Sequence, residues 1–169
     1  MVVTTRKLAI SALLITADVI LTRLIAFNTP VMKIGLGFTA TALCAMIYGP
    51  WWAMLVAAIG DLLGSLLFPT GAYFPGFTLT AACTGLIYGL FLYRREPGWH
   101  RPVLAAVLNT VLVSYLANTA MICFITGNPF AVMLAARLVQ LAVMLPLQIV
   151  VLSWLMRSDF VKKVLEQIL

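Results

Sequence analysis

The chain has 169 residues, of which 63% are hydrophobic and 9% charged, with a mean hydropathy of +1.09 and a formal net charge of +6. Soluble domains are about half apolar and a quarter charged, so this composition excludes a water-soluble fold. Six membrane helices of about 20 residues each would use roughly 120 residues, which leaves no room for a folded domain outside the membrane. The sequence contains no Gly-x-x-x-x-Gly-Lys-Ser/Thr phosphate loop, so any ATP must be used by a partner.

Apolar runs separated by glycine, proline and charged clusters predict an all-α membrane protein, with six transmembrane helices in one domain over residues 1–169. The predicted spans are 7–27, 34–48, 51–67, 76–93, 102–126 and 130–156. Gly49-Pro50 predicts a tight turn after the second span, and the prolines between residues 68 and 76 prevent a helix after the third. The residues from 158 to 169 predict a short amphipathic helix on the inner leaflet or on a partner, with an extension of the sixth span as the alternative.

The distribution of basic residues predicts the orientation, because Lys and Arg near span ends stay on the cytoplasmic side. If the N-terminus is inside, Lys33 is the one external cation and eight basic residues are internal: Arg6, Lys7, Arg94, Arg95, Arg101, Arg157, Lys162 and Lys163. The tryptophans at positions 51, 52, 99 and 154 fall at the same ends, where indole rings favour the interface. Both termini are therefore predicted to be cytoplasmic. The charges indicate lipid, not nucleic acid, as the partner of the basic residues.

Four ionisable residues fall within predicted spans, where a charge costs a few kcal/mol unless it has a cavity or a partner. They are Asp18, Arg23, Asp61 and Arg137. At 1.5 Å per residue they lie between the bilayer centre and the outer side, and Asn118 shares this level. The pattern predicts a pocket that opens outward, while buried ion pairs between helices are the alternative, above all for Asp18.

The predicted outer loop after the third span is rich in rings and hydroxyls that suit a flat ligand. Its candidate binding residues are Thr70, Tyr73, Phe74, Phe77 and Thr78. An aromatic girdle at the membrane interface is the alternative for the rings. Lys33 lies in a short connection that we expect near the same opening. Among the other polar residues, Asn109 and Gln140 suit either ligand contacts or hydrogen bonds between helices, and Gln148 suits a structural role.

Small side chains form a stripe on the first span, at Thr5, Ala9, Ala12 and Thr16. Such stripes let helices approach closely in lipid, so this one predicts either packing within the chain or docking on another membrane subunit. The three cysteines and His100 lack metal-ligand spacing, and no metal site or catalytic group is predicted.

Three stretches resemble the substrate-binding S components of energy-coupling factor (ECF) vitamin transporters. They are Lys33-Ile34-Gly35-Leu36-Gly37-Phe38, Tyr48-Gly49-Pro50-Trp51-Trp52, and Asp61 followed by the run from Phe68 to Leu79. The Phe-Pro-Gly-Phe-Thr-Leu segment within that run is similar to the folate-specific branch. The similarity covers the whole chain as a six-span protein of this size.

The resemblance implies a bacterial cell-membrane subunit that captures a vitamin from outside and delivers it by toppling. Its partners would be a transmembrane coupling subunit and two ATPases, which would use the ATP, so that this chain needs no cofactor. Family members carry an Ala-x-x-x-Ala motif on the first helix, from which this sequence departs, because Ala9 is followed by Ala12 at i+3 and Ala12 by Thr16 at i+4.

The sequence thus favours a non-enzymatic subunit that binds folate or a related pterin with high affinity. We expect Asp61 to bind the pterin edge, and Arg23, Lys33 and Arg137 to bind carboxylates or the ring carbonyl. Alternatives are an S component for a pyridoxine-like or pyrimidine vitamin, a solitary gradient-driven transporter coupled through Asp61, and a small membrane enzyme with Asp18 and Asp61 as an acid pair.

Overall fold

The computed structural model describes residues 4–28, 33–69, 73–94 and 98–158. The described chain is all-helical apart from one short antiparallel pairing of β1 with β2. The elements are α1 (Thr5–Val19), a π-helical turn (Ile20–Leu24), β1 (Phe27–Asn28), β2 (Lys33–Ile34), α2 (Phe38–Tyr48), α3 (Pro50–Leu67), α4 (Pro75–Leu92), α5 (His100–Leu108), a π-helical segment (Asn109–Ala117), α6 (Asn118–Thr126), α7 (Phe130–Ala136) and α8 (Leu138–Arg157).

Within the described residues, four helices are long and apolar enough to cross a membrane, at Pro50–Leu67, Pro75–Leu92, His100–Thr126 and Leu138–Arg157. The structure thus supports an all-α membrane protein, while six spans and the location of the termini remain predictions. The predicted terminal helix over 158–169 falls almost wholly outside the described residues.

Two boundaries differ from the predicted spans. Residues 34 to 37 are not helical, because Ile34 pairs with Phe27 in the short hairpin and α2 begins only at Phe38. The sixth predicted span is interrupted at Arg137, whose backbone angles of −94° and 1° lie outside the α region. Pro146 lies inside α8 without ending the helix, so the interruption is not caused by proline.

Helices α3 and α4 pack closely because glycines of α4 face the backbone of α3. A Cβ atom on Gly85 would lie 2.8 Å from the backbone nitrogen of Met54, and one on Gly89 would lie 2.6 Å from that of Pro50. Small residues let helices approach in this way where lipid removes any hydrophobic driving force between them. Around this contact lies the apolar core, which includes Cys44, Ala45, Ala53, Tyr88, Leu92, Ala105, Ala106, Leu152 and Leu155.

The first helix is fastened to the turn between α2 and α3. The Nζ atom of Lys7 lies 3.8 Å from the ring centroid of Trp52 and 5.2 Å from that of Tyr48, a cation–π arrangement. Trp52 Nε1 also donates to Ser11 Oγ at 2.8 Å. The end of the bundle that carries Gly49-Pro50 is therefore held by polar and aromatic contacts.

We expect Gly85→Val to destabilise the protein by about 1–3 kcal/mol, because the added methyl groups would meet backbone that cannot turn aside. The measurement is thermal unfolding of the detergent-purified chain. Gly98→Val is the matched control, since a Cβ there would meet only the side chain of exposed His100, at 3.0 Å. Equal unfolding temperatures for the two variants would contradict close packing at Gly85.

Candidate functional site

A cavity of about 550 Å³ lies among the helices, within the usual size of small-molecule sites. Its lining residues come from α1, α2, α3, α4, α6 and α8, from both π-helical segments and from the connections between them. Asn109 and Thr126 both line the cavity and lie 17 residues apart on the continuous helix His100–Thr126. The cavity therefore extends roughly 20–25 Å along this helix. Its polar lining consists of Asp18, Thr22, Arg23, Thr41, Asp61, Ser65, Tyr73, Thr80, Thr84, Asn109, Ser114, Asn118, Thr126, Arg137, Gln140 and Gln148.

Both π-helical segments contribute to the cavity wall. The Ile20–Leu24 turn carries Thr22 and Arg23, and the Asn109–Ala117 segment carries Asn109 and Ser114. A π turn holds one residue more than an α turn and changes the direction in which the following side chains point, and such turns are frequent at functional sites. The π-helical turn after α1 and the π-helical segment between α5 and α6 therefore both carry residues that face the cavity.

On one wall, Asp61 is the centre of a polar cluster. Its Oδ1 atom lies 3.3 Å from Arg23 Nη2 in a salt bridge, and its Oδ2 atom accepts from Thr78 Oγ1 at 3.0 Å. Ser65, one turn along α3, accepts from Arg23 Nη2 at 2.9 Å, and the Tyr73 hydroxyl lies 3.0 Å from Thr78 Oγ1. The side chains of Arg23 and Asp61 are 9% and 18% exposed, so both charges are largely withdrawn from solvent while still lining the cavity.

Asp18 lies beside this cluster, between the first and third helices. Its Oδ2 atom lies 2.9 Å from the position that a Cβ on Gly60 would take, so a larger residue at position 60 would displace the Asp18 carboxylate. Asp18 also lines the cavity and is partly buried.

Elsewhere in the lining, Arg137 occupies the interruption between α7 and α8 and is only 3% exposed. Its Nε and Nη2 atoms donate to Gln140 Oε1 at 3.1 and 3.0 Å, and Nη1 donates to Thr119 Oγ1 at 2.8 Å. These partners are neutral. Among the described residues, the ion pair involves Arg23, and Arg137 has no carboxylate within 4 Å.

The end of the cavity beside Asn109 and Gln148 is formed by a network of buried amides and hydroxyls. Asn109 Nδ2 lies 2.9 Å from Tyr88 Oη, and Gln148 Oε1 lies 3.1 Å from Tyr88 Oη and 2.9 Å from Thr110 Oγ1. Thr84 Oγ1 lies 2.8 Å from Asn109 Oδ1. Tyr88, Thr110, Asn109 and Gln148 are each at most 2% exposed, so these polar groups are bonded to one another and not to bulk solvent.

The structure places six of the predicted binding residues in the cavity lining: Arg23, Asp61, Tyr73, Phe77, Asn118 and Arg137.

 Together these six come from separate parts of the sequence and meet around one space. Thr78 supports the site from behind, through its hydrogen bond to Asp61.

The remaining candidates lie elsewhere. Phe74 faces away from the cavity and packs edge-on against Phe77 and near Phe124, with ring centroids 6.3 and 6.0 Å apart. Thr70 falls outside the described residues. The backbone of Lys33 pairs with Asn28 in the short hairpin, and its side chain falls outside the description.

Several cavity residues were not among the predicted binding residues, notably Gln140, Gln148, Thr80 and Thr84. The signal was helical spacing: Gln140, Met144 and Gln148 recur every four residues on α8 and share its cavity face. Thr80 and Thr84 are likewise one turn apart on α4. The predicted docking stripe on α1, made of Thr5, Ala9, Ala12 and Thr16, lies on an exposed face of the described bundle.

Comparison with known proteins gives a consistent result. A family model described as the S component of an ECF-type riboflavin transporter matches residues 2–157. The folate transporter FolT of Clostridium novyi (strain NT) is 40% identical over 157 residues, which cover 90% of this chain and 91% of that protein. The folate transporter FolT of Leuconostoc mesenteroides subsp. mesenteroides is 28% identical over 170 residues, covering 97% of this chain and 91% of the relative.

A solved structure, described as a crystal structure of FolT bound with folic acid, is also similar. It superposes with a TM-score of 0.85 at 36% identity and covers 91% of this chain and 93% of its own. The resemblance seen in the sequence motifs is thus confirmed over nearly the full length. The chain belongs to the S-component family of ECF-type transporters, a family of transport subunits and not of enzymes.

Proposed function

We propose that this chain is the folate-binding S component of an ATP-driven ECF importer in a bacterial cell membrane. The observation that carries the proposal is a cavity of about 550 Å³ in a chain that superposes, at a TM-score of 0.85, on a protein bound with folic acid. The chain itself would use no cofactor, because partner ATPases would supply the energy.

The chemistry of the cavity suits folate or a related pterin. Folate has a flat pterin ring, an aminobenzoyl linker and two carboxylates. In the proposed complex, Asp61 accepts N–H groups of the pterin edge, a strong charge-assisted arrangement. Tyr73 and Phe77 supply ring surface for stacking. Arg23, Lys33 and Arg137 are the cationic groups for the carboxylates or ring carbonyl, and Asn118, Thr70 and Thr78 add hydrogen-bonding capacity.

Riboflavin is the second candidate, because the matching family model is described by that vitamin. Riboflavin carries a flat ring but no carboxylate. The buried guanidinium of Arg137, which has no carboxylate partner among the described residues, favours an acidic ligand. The 40% identity to a folate transporter points the same way.

In the proposed arrangement, six spans place both termini in the cytoplasm and the Tyr73 end of the cavity outside. The exposed stripe on α1 then serves as the contact for a transmembrane coupling subunit, which acts with two ATPases. Its small side chains support this role, because they allow another helix to approach closely within lipid.

We expect the detergent-purified chain to bind folic acid at one ligand per chain and to bind riboflavin at least 100-fold more weakly. Isothermal calorimetry or tryptophan fluorescence measures both. Tighter binding of riboflavin than of folic acid would contradict the proposed ligand.

Asp61→Asn should weaken folic acid binding by roughly 10- to 100-fold, the effect of losing a hydrogen bond to a charged group. The same calorimetric titration measures it. Arg157→Gln, which changes an exposed charge at the end of α8, is the control and should bind as the wild type does. Unchanged affinity in Asp61→Asn would remove Asp61 from the proposed site.

Ala12→Leu should abolish folate uptake and co-purification with the coupling module while leaving folate binding by the isolated chain unchanged. The leucine side chain would prevent close approach of the partner helix. Position 12 lies on an exposed face and does not line the cavity, so folate binding is not affected. Ala120→Leu, at an exposed alanine of α6, is the matched control and should leave uptake intact. Normal assembly of Ala12→Leu would show that the contact lies elsewhere.

A further inference from the structure

The Arg137 guanidinium is the charged group of the cavity that the described protein residues leave without a carboxylate. Arg23 has Asp61 at 3.3 Å, whereas the partners of Arg137 are the neutral oxygens of Gln140 and Thr119. Arg137 is 3% exposed, so water contributes little to its solvation. It is also the N-cap residue of α8, a helix of 20 residues, so the positive end of the helix dipole adds to the positive potential of the guanidinium.

Counting donors shows what Arg137 and Gln140 leave available. A guanidinium has five N–H groups, of which three bond to Gln140 Oε1 and Thr119 Oγ1. Because arginine can only donate, Gln140 must turn its oxygen toward Arg137 and its NH2 group away. That NH2 group makes no hydrogen bond with the described residues, although Gln140 is only 7% exposed and lines the cavity. Four N–H groups are therefore left for a ligand.

Thr119 fixes the orientation of Arg137 from behind. Its hydroxyl donates to the backbone carbonyl of Tyr115, so its oxygen is free to accept from Arg137. The Tyr115 hydroxyl in turn donates to the carbonyl of Leu134 at 2.8 Å, which ties this group to α7. Thr119 is fully buried and does not line the cavity, so it is a positioning residue.

We propose that Arg137 and Gln140, positioned by Thr119, form the receptor for a carboxylate of the ligand. A carboxylate has two oxygens with about four acceptor positions, which match the four available N–H groups, and its charge compensates the guanidinium. A neutral carbonyl or hydroxyl would leave that charge uncompensated. This inference rests on the proposed function and adds to it the group that this wall selects and the roles of Gln140 and Thr119.

The test compares folic acid with its diamide, in which both carboxyl groups are replaced by neutral amides of nearly the same shape. Calorimetry on the detergent-purified full chain should show at least 10-fold tighter binding of folic acid by the wild type.

Gln140→Glu should reverse this preference, because its carboxylate would pair with Arg137 and repel that of folic acid. Thr119→Val should reduce the preference several-fold with little effect on diamide binding, because it frees Arg137 to reorient.

Arg157→Gln is the matched control, since it lowers the net charge by one unit, as Gln140→Glu does, at an exposed position. It should keep the wild-type preference. A wild-type chain that binds folic acid and its diamide equally would overturn the carboxylate receptor and leave the folate proposal standing. Binding of neither ligand would instead contradict the proposed function.

A parallel loss of both ligands in Gln140→Glu, with an unchanged unfolding temperature, would also overturn the receptor, because it would show a role that does not depend on ligand charge. If Gln140→Glu fails to fold, the wild-type comparison and Thr119→Val still decide between these outcomes.

Discussion

Ionised side chains among apolar helices cost several kcal/mol unless another charge or a set of hydrogen bonds compensates them. The polar interior of this chain is arranged around that cost. Asp61 and Arg23 compensate each other across α3 and the π-helical turn that follows α1. Arg137 is stabilised by neutral oxygens alone among the described residues, which leaves its charge available. The Asp61–Arg23 pair is therefore neutral as a unit, whereas Arg137 keeps a positive charge that the described residues do not compensate.

Departures from regular helix geometry bring these groups to the same space. The π-helical segments carry Arg23 and Asn109, and the interruption at Arg137 separates α7 from α8. Gly85 allows α4 to approach the backbone of α3 more closely than a larger residue would permit, and Gly60 leaves room for the Asp18 carboxylate beside α3. Irregular helices thus lie at the cavity, while regular helices in close glycine contact pack beside it.

Much of this site could be predicted because charge within an apolar span is a strong signal. Asp61, Arg23 and Arg137 were identified in that way, and the Phe-Pro-Gly-Phe-Thr segment identified the family. The direction of Phe74 was not predictable, because ring position at the start of a helix depends on tertiary packing. Gln140 was left open between a ligand contact and a hydrogen bond between helices, and Gln148 was assigned a structural role, because an amide is tolerated in a helix interface as readily as in a binding site. The helix interruption at Arg137 was not predicted, because no glycine or proline lies beside it in the sequence.

Asn109, Tyr88, Thr110 and Gln148 are hydrogen-bonded to one another where α4, the π-helical segment and α8 meet at the cavity. A solute that enters at the Tyr73 end meets buried amides that are already bonded to one another, and beneath them the packed core of Leu152 and Leu155. Movement of a solute past this end of the cavity would therefore break several buried hydrogen bonds and separate packed apolar side chains. Each buried polar group left without a partner costs about 1–3 kcal/mol, so a solute leaves most easily by the end at which it entered.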